Sequence, residues 1–396
     1  MKTGYFFRAV CVFGLSMQVI AAASDWPCWR GPDYNGISKE TEWNPNALNE
    51  STLPLWTASI GTGFSAVSVA DGKAVAMGNV KKDTDTVFCF DAVTGKLLWE
   101  HGYDEELNPR YYEGGPGSTP TIAEGKVYTL SKTGRAFCLN LEDGTVIWEK
   151  NFDYKPPEWG FAGSALIYDG LAIYNVGESG IAVNKDTGGY VWKSDNEQPG
   201  YATAVPVTMD ERPVVVLFAK DSVIGIDPKA GTKYWEYRWK TKYDVNAADP
   251  VIQGDEVFVT SGYSHGCSLT KVTNNQPQTV WENKNMRCQM SGPVLIDGYL
   301  YGFDNKELVC LDWKTGETKW SERSTGQGSL SAQGDKLIVI SEKGELIIAK
   351  ATPDRFEKIS SARVVKGKCW TMPVLANGRI YTRTSKGDMV CVDVSK

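Results

Sequence analysis

Apolar and polar residues alternate with a period of two through most of the chain, in short runs broken by Gly, Asn and Asp. Segments 119–123, 126–131, 135–139 and 146–150 show the pattern clearly. Such alternation predicts half-buried strands, and the breaks carry the residues that make turns. No long segment repeats at 3.6 residues, so the chain reads as all-β. The stretch Phe90-Asp91-Ala92-Val93-Thr94-Gly95-Lys96-Leu97-Leu98-Trp99 contains a strand end, a tight turn and a strand start. An Asp or Asn side chain can bond its own backbone a few residues on, and Gly supplies positive φ without a steric cost. The same spacing recurs at Asn140, Asp143-Gly144 and Trp148, and at Asn184, Thr187-Gly188 and Trp192. It returns at Asp227, Ala230-Gly231 and Trp235, and at Asp312, Thr315-Gly316 and Trp320.

Trp56, Trp99, Trp148, Trp192, Trp235, Trp281 and Trp320 lie 43, 49, 44, 43, 46 and 39 residues apart. Each interval has room for four short strands, which predicts the blades of a propeller. The unit ending at Trp281 replaces the Asp-to-Gly turn by Asn274-Asn275-Gln276-Pro277. The unit spanning 329–359 is degenerate, with Phe356 near the Trp position. Leu55-Trp56 has no strand pattern before it, whereas three strands around 370–375, 379–382 and 388–393 lack a fourth. The N-terminal strand is therefore expected to complete the C-terminal unit, closing the wheel and removing an exposed sheet edge. The expected architecture is an eight-bladed β-propeller of four-stranded antiparallel blades over residues 53–396. Each docking Trp removes about 150–250 Å² from water, an upper bound of about 4–6 kcal/mol at roughly 25 cal/mol/Å².

Residues 1–23 read as an export signal. Lys2 and Arg8 precede an apolar run, and Ala21-Ala22-Ala23 forms a small-residue cleavage site. The run is too short for a membrane span. Arg8-Ala9-Val10 leaves almost no apolar run before Cys11, which argues against lipidation there. The expected location is periplasmic or secreted. Residues 24–52 do not fit the repeat: Asp25-Trp26-Pro27-Cys28-Trp29-Arg30-Gly31-Pro32 and Trp43-Asn44-Pro45 suggest an irregular arm. It either packs over one face with Trp26 and Trp29 buried, or serves as a lid or partner-docking segment. Loss of two positive charges with the signal would take the formal net charge from −6 to −8. That excess argues against nucleic acid, whose affinity rests on neutralising phosphates. Cys89, Cys138, Cys310 and Cys391 share one repeat position with Ala182 and Gly225, so they read as small buried filler. Cys28, Cys267, Cys288 and Cys369 lie outside that position, and at least one disulfide among them is expected in an exported chain. The pairing stays open, and a monomer is expected.

The repeated Asp-x-x-Thr-Gly-x-x-x-Trp resembles the tryptophan-docking motif of the pyrroloquinoline quinone-type repeat. The resemblance covers roughly 53–396 and implies eight blades closed by an N-terminal strand. The repeat is shared by quinoprotein dehydrogenases, which hold the quinone and a calcium ion, and by non-catalytic scaffolds of the BamB type. The sequence favours the second. No two cysteines are adjacent, as they are over the quinone in quinoprotein alcohol dehydrogenases, and no Cys-x-x-Cys-His is present for a haem. With His101 and His265 as the only imidazoles, a His-rich metal or acid–base site is excluded, and no metal site is expected. The expectation is a binding or scaffold protein for envelope proteins or polymers, without a cofactor. The alternative is a quinone-dependent enzyme with calcium.

One place could still hold a ligand. Asp249 opens a first strand, and first strands line a propeller's channel. The corresponding positions are taken as Thr119, Ser164, Val205, Gly292 and Met372. Asp249 is thus either a solvated channel residue or a cation or ligand contact. Arg287, Trp370, Tyr201 and Trp159 lie just before first strands and are expected to rim the same mouth. No catalytic residue is assigned.

Overall fold

The computed structural model describes Met1, residues 24–110 and 112–396. Apart from Met1, the stretch read as an export signal, with Cys11 in it, lies outside the described residues. Among them there is no helix, hence none long and apolar enough to cross a membrane. The strands form eight sheets, each the blade of an eight-bladed propeller. Blade 1, for example, runs Ser68–Ala70, Lys73–Val80, Thr84–Asp91 and Leu97–Asp104, in antiparallel order from channel to rim. Blade 8 is completed from the N-terminal side as expected: Trp56–Ser59 pairs with Asp388–Asp393, with Trp56 opposite Cys391.

The turn between a blade's third and fourth strands forms for the reason its residues suggest. Asp91 Oδ1 accepts the Val93 and Thr94 backbone N–H groups at 3.1 and 2.7 Å, and Gly95 takes φ +72°. The same Gly also receives the indole of the preceding blade. A Cβ on Gly95 would lie 2.5 Å from Trp56, one on Gly144 2.5 Å from Trp99, and one on Gly231 2.6 Å from Trp192. Each indole N–H then donates to a carbonyl of that next turn: Trp99 to Leu141 at 2.9 Å, Trp148 to Lys185 at 2.8 Å, Trp192 to Pro228 at 2.9 Å. The motif therefore reads across a seam between blades. Within its own blade the Trp faces a small residue: Cys89 opposite Trp99, Ala182 opposite Trp192, Gly225 opposite Trp235. That register explains the shared filler position.

Three expectations need correction. The Trp position in blade 7 is filled by Ser360, which faces Ile348; Phe356 lies before it and packs edge-on against Trp320 of blade 6. A bulge shifts the register, so counting along the chain misplaces the equivalence. Among the described residues no disulfide forms: Cys28, Cys267, Cys288 and Cys369 are buried and free. Cys369 packs in the blade 7–8 seam, away from Cys267 and Cys288, which share the interior between blades 5 and 6 and stay free there. Burial pushes each of these thiols up to about 12. Finally, the arm is not wholly irregular. Ile37–Ser38 adds a parallel fifth strand to the inner edge of blade 7.

The arm threads the hub. Trp26 bridges Val69 of blade 1, Pro27 accepts from Ile122 of blade 2, and Arg30 reaches the Pro293 carbonyl beside blade 6. Ser38 Oγ donates to Leu375 of blade 8. Trp43 and Leu48 then enter the seam between blades 7 and 8, where Ser360 Oγ donates to the Pro45 carbonyl.

Candidate functional site

The inner strands are linked around the hub by a relay of hydrogen bonds. Ala66 N donates to Thr119 Oγ1 at 2.9 Å, Thr119 N to Ser164 Oγ at 2.9 Å, and Ser164 N to Thr203 Oγ1 at 3.0 Å. Thr203 N donates to Asp249 Oδ1 at 2.7 Å. In blades 1 to 4 the backbone is thus bonded by the next blade's side chain. Thr203, two residues before Val205, is the blade 4 member. The hydroxyl-bearing positions Thr119, Ser164 and Thr203 were the signal in the sequence, obscured by assigning Val205 to the ring.

Asp249 ends this relay and receives the arm. The Trp29 indole N–H donates to its Oδ2 at 2.5 Å, and the Arg30 guanidinium lies 4.0 Å away. Asp249 is 2% exposed and Arg30 1%, so the aspartate is not solvated. Burial pushes its carboxyl upward, opposed by Arg30, Trp29 and Thr203. Arg30 fits because blade 6 has Gly292 at its ring position, where a Cβ would meet the guanidinium at 2.2 Å.

Above this floor is a cavity of about 240 Å³. Trp159, Tyr201, Trp370 and Asp249, predicted as mouth residues, all line it. Two aromatic walls face it. Phe64 stacks on Trp370 with centroids 5.8 Å apart and touches Tyr112 at 5.5 Å. Trp159 packs against Tyr201 at 5.8 Å and Tyr263 at 6.4 Å. Trp29 forms part of the floor, so the arm is an aromatic plug in the channel. Phe64 and Tyr112 sit in loops between blades, and Tyr263 in the turn between the second and third strands of blade 5, where no strand pattern marks them. Arg287 is not brought to the cavity. Its guanidinium grips Asp304 with two bonds of 2.6 Å, a local pair invisible to a reading of loop position. His101 and His265 are ring-packing residues, edge-on to Phe137 and Trp239.

A model of the outer membrane protein assembly factor BamB matches residues 110–322, more than half of the chain. The chain belongs to the BamB family. Among its relatives, BamB of Xanthomonas campestris pv. campestris is 24% identical over 398 residues, covering 96% of this chain and 95% of that one. The Shewanella oneidensis BamB is 20% identical, covering 96% of each. The crystal structure of BamB from Moraxella catarrhalis aligns with a TM-score of 0.64 at 14% identity, over 85% of this chain and all of that one. A europium-containing methanol dehydrogenase aligns with a TM-score of 0.69 at 9% identity, over 93% of this chain and 90% of that one. At these identities the structural likenesses establish the fold alone, so the BamB-type fold and the quinoprotein fold are one architecture. The channel residues then discriminate. Among the described residues no group of three His, Cys, Asp or Glu side chains could hold a metal, and the one acid lining the cavity is already matched by a guanidinium and two N–H donors. These residues do not fit a calcium ion, which needs six to eight oxygen ligands.

Proposed function

We propose that this protein is an exported, non-catalytic binding scaffold of the bacterial envelope, residing in the periplasm or beyond and working as a monomer alongside envelope proteins or polymers. The observation that carries this reading is the internal use of Asp249. Its carboxylate ties blade 4 to blade 5 and holds the plug, so no ionised acid is free at the channel mouth to assist proton transfer or bind a cation. Membership of the BamB family supports the same conclusion, since the relatives are named for assembling outer membrane proteins. Cross-linking of a tagged full-length chain in its native cells should enrich outer-membrane assembly proteins over an unrelated periplasmic control. A ligand at 100 times its dissociation constant stabilises by about 2.7 kcal/mol. A thermal shift of that size with quinone plus calcium, accompanied by dye-linked alcohol oxidation, would instead establish the enzymatic alternative.

A further inference from the structure

We infer that the aromatic slot at the channel mouth takes one neutral pyranose ring. The inference deepens the scaffold reading and rests on it, since it treats the slot as a place that holds a ligand unchanged. The volume of about 240 Å³ falls below the about 300–1,000 Å³ that encloses drug-sized ligands, so one ring fits and a folded chain segment does not. Phe64, Tyr112 and Trp370 form one aromatic cluster lining it, and Trp159, Tyr201 and Tyr263 form a second. Two apolar ring walls suit the C–H faces of a pyranose. The Tyr112 hydroxyl donates to the Trp159 carbonyl at 3.4 Å and the Tyr201 hydroxyl accepts from the Trp159 N–H at 3.5 Å. Each keeps bonding capacity for a sugar hydroxyl, because an aromatic ring with a polar handle serves both kinds of surface.

Charge decides against ionic ligands. On the floor Asp249 is matched by Arg30 at 4.0 Å. At the rim Glu113 pairs with Lys368 at 2.8 Å, and Glu158 with Arg110 at 3.4 Å. Trp370 already carries a cation, the Lys368 ammonium 4.3 Å from its ring. An organic ammonium would meet no unmatched carboxylate, and an anion no unmatched base. A neutral ligand leaves no unpaired charge behind on entering.

The test is calorimetry and tryptophan fluorescence on the full chain with N-acetylglucosamine, its trimer, maltotriose, choline and p-cresol. At least one saccharide should bind with a dissociation constant below about 1 mM. Monomer and trimer distinguish a free sugar from a polymer end. Trp370→Ala should weaken binding about tenfold or more, and so should Tyr263→Ala, whose ring is 39% exposed and contributes little to folding. Absence of saccharide binding, or tighter binding of choline or p-cresol, overturns the inference. Recovery of a chemically altered saccharide would instead overturn the non-catalytic reading while leaving the ligand class intact. Loss of cross-linked partners with saccharide binding retained would count against the scaffold alone.

Discussion

At the seam between blades 1 and 2, Trp99 of one blade lies on Gly144 of the next and donates to Leu141. At the seam between blades 7 and 8 neither half of that contact exists. Blade 7 has Ser360 where the indole belongs, and blade 8 has no turn between its third and fourth strands, because the chain ends after the third and the fourth comes from Trp56–Ser59. The arm supplies what is missing. Trp43 is 4% exposed, bridges Ser395, donates its indole N–H to Gln333 at 3.0 Å and packs with Leu48 among Ile348, Val390 and Val394. The repeated seam is a local device, with an indole bonded to the next blade at six seams. The closing seam is a long-range device, written once for the whole wheel. Closure need not be made by the blades that meet there, provided an indole-sized apolar group fills the wedge.

The sharpest way to break this comparison is to empty both seams. Trp43→Ala and Trp148→Ala are each expected to cost about 3–5 kcal/mol, the range for deleting a buried large aromatic, read from urea midpoints. A cost under about 1 kcal/mol for Trp43→Ala, beside a full cost for Trp148→Ala, would reduce the arm to a passive cover. A smaller effect separates packing from backbone strain in the repeated seam. Gly125 and Gly144 have nearly the same φ, +71° and +72°, but a Cβ on Gly125 meets nothing within 4 Å whereas one on Gly144 meets Trp99 at 2.5 Å. Gly125→Ala should cost about 1–2 kcal/mol from the left-handed backbone alone. Gly144→Ala should cost about 1–3 kcal/mol more as the indole is displaced. Equal losses would show that the seam does not need the contact.

The smallest expected effect concerns pH in blade 1. Asp85 is fully buried, bonded by Asn79 Nδ2 at 2.8 Å, and burial pushes its carboxyl up to about 6. A raised value means that the folded state prefers the neutral acid. The associated stability is complete below the ordinary carboxylate range and is lost as pH rises through about 6. Asp85→Asn should therefore gain on the wild type by on the order of 1–2 kcal/mol between pH 4 and 7, measured as the difference between the two unfolding curves. A constant difference across that interval would place the titration elsewhere. Trp43→Ala should leave this pH dependence intact, since the two regions do not touch.

Much of the wheel was legible because its cause is local. Asp91 and Gly95 announce their part by chemistry that acts within a few residues, Trp99 by its fixed spacing from them, and repetition multiplies the signal. The missing first strands before Trp56 and the unfinished tail near Val390 likewise predicted closure. The candidate site was legible only in part. Trp159, Tyr201, Trp370 and Asp249 could be placed at the mouth because each stands just before, or at, an inner strand. Arg287 has the same position in its unit, yet Asp304 claims it, and nothing in the spacing between a loop residue and the end of a strand specifies that pairing.

The amino-acid sequence by itself determined the strand period, the turns, the number of blades and the sharing of one blade by the two chain ends. All of these follow from backbone conformation and from the need of alternating apolar faces to be covered. Only the tertiary structure decided that Asp249 anchors Trp29 and Arg30, that Trp43 stands in for an absent docking indole, and that four cysteines stay unpaired. Those outcomes depend on which buried groups from distant parts of the chain meet, and burial of a charge or a ring is settled by all its neighbours at once.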